Sequence, residues 1–227
     1  MKSKFVFALG LLAALSWCVP AWADDFNPPS WRGNPGTSWA MWEFLNDDPT
    51  PPPDDGFLPF GPPSMVVTPG PGAGWFDLNP PYNPNASPTN PSGYGWWNLS
   101  GQLDITMPNS PILNPHKEIW IQLTWSPQAP ENVPFVSVTH PGGTTTETSV
   151  PLVHTIAYEE YPGQAQGLKV FRDVYHIDLI PNPPWEIIHI RGGINVDEVV
   201  VDTWCVPEPA SLGLLSLGAL VLRRRRR

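Results

Sequence analysis

The body of this chain has almost no positive charge. Of its 12 lysines and arginines, Lys2, Lys4 and Arg223 to Arg227 sit at the extreme ends. Arg32, Lys117, Lys169, Arg172 and Arg191 alone remain, against 20 acidic residues once Glu208 is set aside with the C-terminal segment. The formal charge of −9 therefore understates the acidity of the middle, which stands at five positive against 20 negative. Such a surface repels phosphate backbones and anionic lipid, which excludes nucleic acid as a partner.

Cysteine is nearly missing too. Cys18 lies in the N-terminal apolar segment and is expected to leave with it, so Cys205 becomes the sole thiol and no intramolecular disulfide can form. No apolar run exceeds about 13 residues, too few to span a roughly 30 Å hydrocarbon core as an ordinary helix. Charged residues of both signs make up 15% of the chain. Catalytic signatures are scarce as well. Ser100, Ser137 and Ser211 lack a nucleophile elbow, Cys205 has no adjacent base, and no glycine-rich loop opens a helix. No enzymatic activity and no cofactor are expected.

What is abundant is proline (32), glycine (19) and tryptophan (12), within a 41% hydrophobic composition. Proline and glycine at that level usually accompany disorder, but so many large apolar rings require a core.

The two ends read as sorting segments. Lys2 and Lys4 precede an apolar run from Phe5 to Trp17, and Ala21-Trp22-Ala23 supplies small residues for cleavage after Ala23, the pattern of a secretory signal peptide. At the other end stands Val206-Pro207-Glu208-Pro209, then the apolar run Ala210 to Leu222, then Arg223, Arg224, Arg225, Arg226 and Arg227. Two prolines keep the tripeptide extended. Ala210 to Leu222 as a helix is about 20 Å long, and the arginines behind it are strong cytoplasmic retention charges.

That order of Pro-Glu-Pro, short transmembrane helix and arginine cluster resembles the PEP-CTERM sorting signal of exported bacterial proteins, over the last 22 residues. The resemblance implies an exosortase as processing partner, transient inner-membrane insertion and a cut near Pro207 to Pro209. It also implies release of the body to the cell surface, the cell envelope or an extracellular matrix.

Between the ends the chain divides at about residue 95. Residues 24–95 are crowded with turn formers, such as Asp47-Asp48-Pro49-Thr50-Pro51-Pro52-Pro53, and are expected to be irregular, pinned by their aromatics onto a neighbouring sheet, with at most one short turn or strand near Trp39 to Leu45. Residues 96–205 alternate with period two. In Glu118 to Trp125 the apolar residues Ile119, Ile121, Leu123 and Trp125 share one face. Similar segments recur between turn signals at Trp97–Met107, Phe135–His140, Thr144–Val150, Val153–Tyr158, Lys169–Ile180, Trp185–Arg191 and Ile194–Trp204. About eight strands without an amphipathic helix predict an all-β, antiparallel β-sandwich of jelly-roll type. The chain thus parses as a signal peptide (1–23), an irregular flank (24–95), a β-sandwich domain (96–205) and a sorting signal (206–227).

Candidate sites in the body are sparse. Trp75, Tyr94, Trp96 and Trp97 lie beside glycine and asparagine and suit either stacking on a sugar, with exopolysaccharide as the ligand, or packing of the flank onto the sheet. Asp197, Glu198 and Asp202 offer oxygen ligands for calcium but lack the spacing of a known calcium loop. The histidines His116, His140, His154, His176 and His189 show no His-x-His pair. Of these, His176 and His189, with His154 nearby, are placed to approach one another across strands, but no metal is expected. Glu159-Glu160 and Asp47-Asp48 would have to converge on one cleft for a secreted hydrolase of sugars.

Overall fold

The predicted strand at Glu118 to Trp125 is the middle of a longer one, β7 (His116–Pro127), and it organises the molecule. A computed structural model describes residues 25–77, 95–112, 114–141, 145–148, 150–158 and 169–207. Among them are 13 strands and no helix. The first sheet runs β10 (Val153–Tyr158), β11 (Val170–Leu179), β7, β13 (Ile194–Val206), β1 (Thr37–Trp42) and β2 (Asp55–Phe57). The hairpin of β4 (Gly74–Asp77) and β5 (Gly95–Asn98) joins it along β13. The second sheet runs β3 (Ser64–Thr68), β6 (Gln102–Thr106), β12 (Ile187–Arg191), β8 (Phe135–Thr139) and β9 (Thr145–Thr148). Every pairing is antiparallel.

From β6 onward the chain crosses between sheets at nearly every connection, staying within one sheet only for the hairpins β8 to β9 and β10 to β11. The first strand, β1, lies beside the last, β13. This is the strand order of a jelly roll, as the spacing of turn signals predicts.

Period-two alternation sends one set of side chains from each sheet into a shared core. Ile119, Ile121, Leu123 and Trp125 of β7 meet Leu103, Ile105, Val136, Val138, Ile188 and Ile190 of the opposing sheet, with Trp42, Phe44 and Trp97 filling one side. Burying a large aromatic contributes several kcal/mol, and truncating one to alanine costs about 3–5 kcal/mol.

The flank expected to be irregular contains four strands instead. Its β1 is an interior strand, buried at all six positions and held between β13 and β2. Proline density over the whole stretch hides a local fact: Thr-Ser-Trp-Ala-Met-Trp has no proline or glycine, and the prolines gather in the connections. Gly36, just before β1, has φ +88° and a Cβ there would stand 2.7 Å from the Cys205 carbonyl oxygen, so the turn into this strand admits little but glycine.

Residues 25–36 cross the outer face of the first sheet as a strap. Trp120 donates its indole N–H to the Asn27 carbonyl (2.9 Å), and the Asn27 amide donates to Gln122 (2.7 Å). Arg32 bonds both Asp25 and the wholly buried Asp202, and its guanidinium lies 4.7 Å from the centre of a Trp39 ring. Trp31 stacks on Trp204 at 5.7 Å. A small second cluster, Trp39, Met41 and Val200, lies on this outer side.

Candidate functional site

The sorting segment leaves the body at the end of β13. Val206 is still in register with His116 on β7, and pairing with β1 runs to Trp204 opposite Thr37. The Cys205 amide donates to the Gly36 carbonyl (3.0 Å). Pro207 follows at once and is exposed. The resemblance at this end therefore has a structural counterpart: Pro207, the first residue of the tripeptide, stands immediately beyond a fixed strand. Cys205 itself is buried, its neighbourhood occupied by sheet and turn.

Two loops flank that exit, between β6 and β7 and between β11 and β12. A buried polar cluster ties them together. Lys117 bonds Glu186, and neither side chain exposes any surface. Asn109 accepts from Lys117 and donates to Glu186 (2.8 Å) and to the Pro183 carbonyl (2.9 Å). On the outside, the same loops leave Ile112, Ile180 and Trp185 exposed.

On the outer face of the first sheet, His116 and Glu118 of β7 lie beside His176 and Asp178 of β11. Residues two apart on a strand share a face, and Glu118 is the register partner of Asp178. His116 Nε2 is 3.5 Å from one Glu118 oxygen, and His176 Nε2 is 3.7 Å from the other and 3.4 Å from Asp178 Oδ1. Ligand atoms of His116, Glu118 and Asp178 all fall within 4.8 Å of one another. The Trp120 ring packs against His176 with centres 5.7 Å apart.

The other histidines are placed differently. His154, His176 and His189 do not converge. His189 belongs to the second sheet, where it bonds Asp104 and Thr139. His154 bonds the buried Asp173 at 2.6 Å, and Asp173 also accepts from the Trp125 indole (2.8 Å). His140 is half-buried beside the Pro141 carbonyl. The expected trio fails because His176 and His154 point to opposite faces of their sheet while His189 lies across the sandwich. The pairs that do meet, His-x-Glu on one strand and His-x-Asp on the next, were readable as period-two spacings but carry no signal until β7 and β11 are known to be neighbours.

Trp96 and Trp97, expected as sugar-stacking candidates, are each only 4% exposed. A ring so covered has no free face for a sugar, and packing is the use these residues serve. Trp75 is half-buried against the core and donates its indole N–H to the Phe44 carbonyl (3.0 Å). Tyr94 lies outside the described residues, as do Ala23, Glu208, Pro209, the five terminal arginines and Glu159-Glu160. The signal peptide and the short transmembrane helix expected at the two ends fall there too. Among the described residues no helix is long and apolar enough to cross a membrane.

Among the calcium candidates, Asp202 is committed to Arg32, while Asp197 occupies a bulge between Val196 and Glu198 where the register with β7 shifts. Burial pushes the Asp202 carboxyl above its usual range, with the Arg32 guanidinium opposing that rise. Asp48 caps its own turn, accepting from the Thr50 amide (2.8 Å).

Comparison with known families finds the PEP-CTERM protein-sorting motif at residues 206–227. No curated protein matches the chain.

Proposed function

We propose that this protein is an exported, exosortase-processed component of the cell surface or extracellular matrix, with a β-sandwich body that serves a structural or binding role rather than catalysis. The observation that carries this reading is the sorting motif at 206–227, which follows β13 without a linker. The motif implies export and a cell-surface or extracellular destination. While the apolar tail is inserted, Pro207 to Pro209 can separate body and bilayer by at most about 11 Å. The end of the sandwich bearing Ile112, Ile180 and Trp185 then lies against the membrane surface, where amphipathic tryptophan is favoured. After cleavage the acidic body leaves an anionic leaflet readily.

The test compares the full chain with one ending at Cys205, expressed in a host that has an exosortase. The full chain is expected to shorten at its C-terminus and reach the surface or medium, with an unshortened membrane-bound form accumulating when the exosortase is removed. Identical size and location with and without the exosortase would overturn the proposal.

A further inference from the structure

We infer that His116, Glu118, His176 and Asp178 bind a divalent transition-metal ion of the zinc class on the outer face of the first sheet. The spacing is the first reason. Donor atoms about 2.0–2.2 Å from a tetrahedral ion stand roughly 3.3–3.6 Å from each other. The three close approaches here are 3.4, 3.5 and 3.7 Å; the donors of His116, Glu118 and Asp178 lie within 4.8 Å of one another, and His176 stands beside that group, reaching Glu118 and Asp178. These are the distances of groups facing a common centre rather than each other, because direct hydrogen bonds close to about 2.7–3.2 Å. This same protein supplies the contrast, since His154 reaches Asp173 at 2.6 Å.

Charge placement is the second reason. Glu118 and Asp178 are direct cross-strand partners, and like charges in that position are destabilising unless something positive lies between them. Among the described residues no lysine or arginine does so: Lys117 is turned inward to Glu186, and Arg172, six register positions along the strand pair from Asp178, lies over the Phe26 ring. A cation held by these side chains fills that role.

Donor chemistry sets the class of ion. Calcium and magnesium prefer oxygen donors throughout, whereas two imidazoles with two carboxylates suit zinc and its neighbours in the first transition row. The donors come from two interior strands in fixed register, which limits the ordering needed on binding. All four side chains remain partly exposed, between 20% and 52%, so an ion can enter from solvent.

The experiment titrates the untagged full-length chain with zinc in competition with a chromophoric chelator. One equivalent is expected to bind. His116→Ala and His176→Ala are each expected to weaken binding at least about tenfold, the loss typical even for supporting groups of a metal site. His140→Ala, on a histidine at the end of β8, is expected to leave it unchanged. Circular dichroism confirms that the surface variants keep their strands, and Glu118→Gln offers a near-isosteric check of the same loss. Absence of zinc binding, or affinity retained by either His116→Ala or His176→Ala, would overturn the inference. Neither result bears on export or processing.

Discussion

Removing one partner of the Lys117–Glu186 pair tests the architecture at its most exposed assumption, that an ion pair with no solvent access holds two loops together. Lys117 points inward from β7 and Glu186 stands just before β12, so the pair bridges the two sheets at the end from which the tail departs. Glu186→Gln keeps the shape and deletes the charge, leaving an ammonium in a site with no water to solvate it. Breaking a fully buried pair in this way costs about 3–5 kcal/mol. For a domain of this size each kcal/mol moves the melting temperature by roughly 2–4 °C, so the midpoint should fall by about 6–20 °C. Replacing both partners, as Lys117→Met with Glu186→Leu, removes the charges together and is expected to recover most of that loss. Asn109 then loses both of its charged partners but keeps its bond to the Pro183 carbonyl, which limits the recovery. Urea or thermal unfolding followed by tryptophan fluorescence reads all three proteins. A double variant as unstable as the single one would refute the reasoning, as would a single variant within about 1 kcal/mol of the parent.

Two further outcomes follow from burial. Because burial raises the Asp202 carboxyl above its unfolded value, its contribution to stability is fully present below the unfolded pKa of about 3.9 and is lost as pH rises through the higher folded one; unfolding free energy measured across pH 3.5 to 7 should carry that downward slope, and Asp202→Asn should flatten it. Cys205 should resist a thiol reagent in the native protein and react fully once urea has unfolded it, and rapid native labelling would contradict its place under the Gly36 turn.

How much of this was legible beforehand depends on the range of the signal. Alternation in Glu118 to Trp125 is a local pattern and translated directly into β7, as did the turn signals that separate β8, β11, β12 and β13. The antiparallel sandwich was legible from strand count and spacing, whereas the order of the strands is set by pairings between segments far apart in the chain. Strand β1 overlaps the short turn or strand expected near Trp39 to Leu45, but its central place was hidden because proline content averaged over 24–95 says nothing of where the prolines fall, and six residues free of them suffice for a central strand. The loop tryptophans were ambiguous for a different reason: a ring beside glycine is equally suited to a surface platform and to a core, and the pairing of β5 with β13 decides between them. The metal ligands were invisible because their two pairs lie almost sixty residues apart and meet only through the register of β7 with β11.

The placement of the tail on β13 has a mechanical consequence. Any pull on residues beyond Val206 is delivered along the axis of a strand that is bonded to β7 through nearly its whole length and to β1 from Val199 to Trp204. Those bonds lie across the line of force, so they are loaded together in shear instead of being peeled open singly. An edge strand in the same position would be held by one row of such bonds instead of two. A body hauled or tethered by its C-terminus, against flow or against a protease that grips the tail, is therefore held by two rows of sheet hydrogen bonds at once.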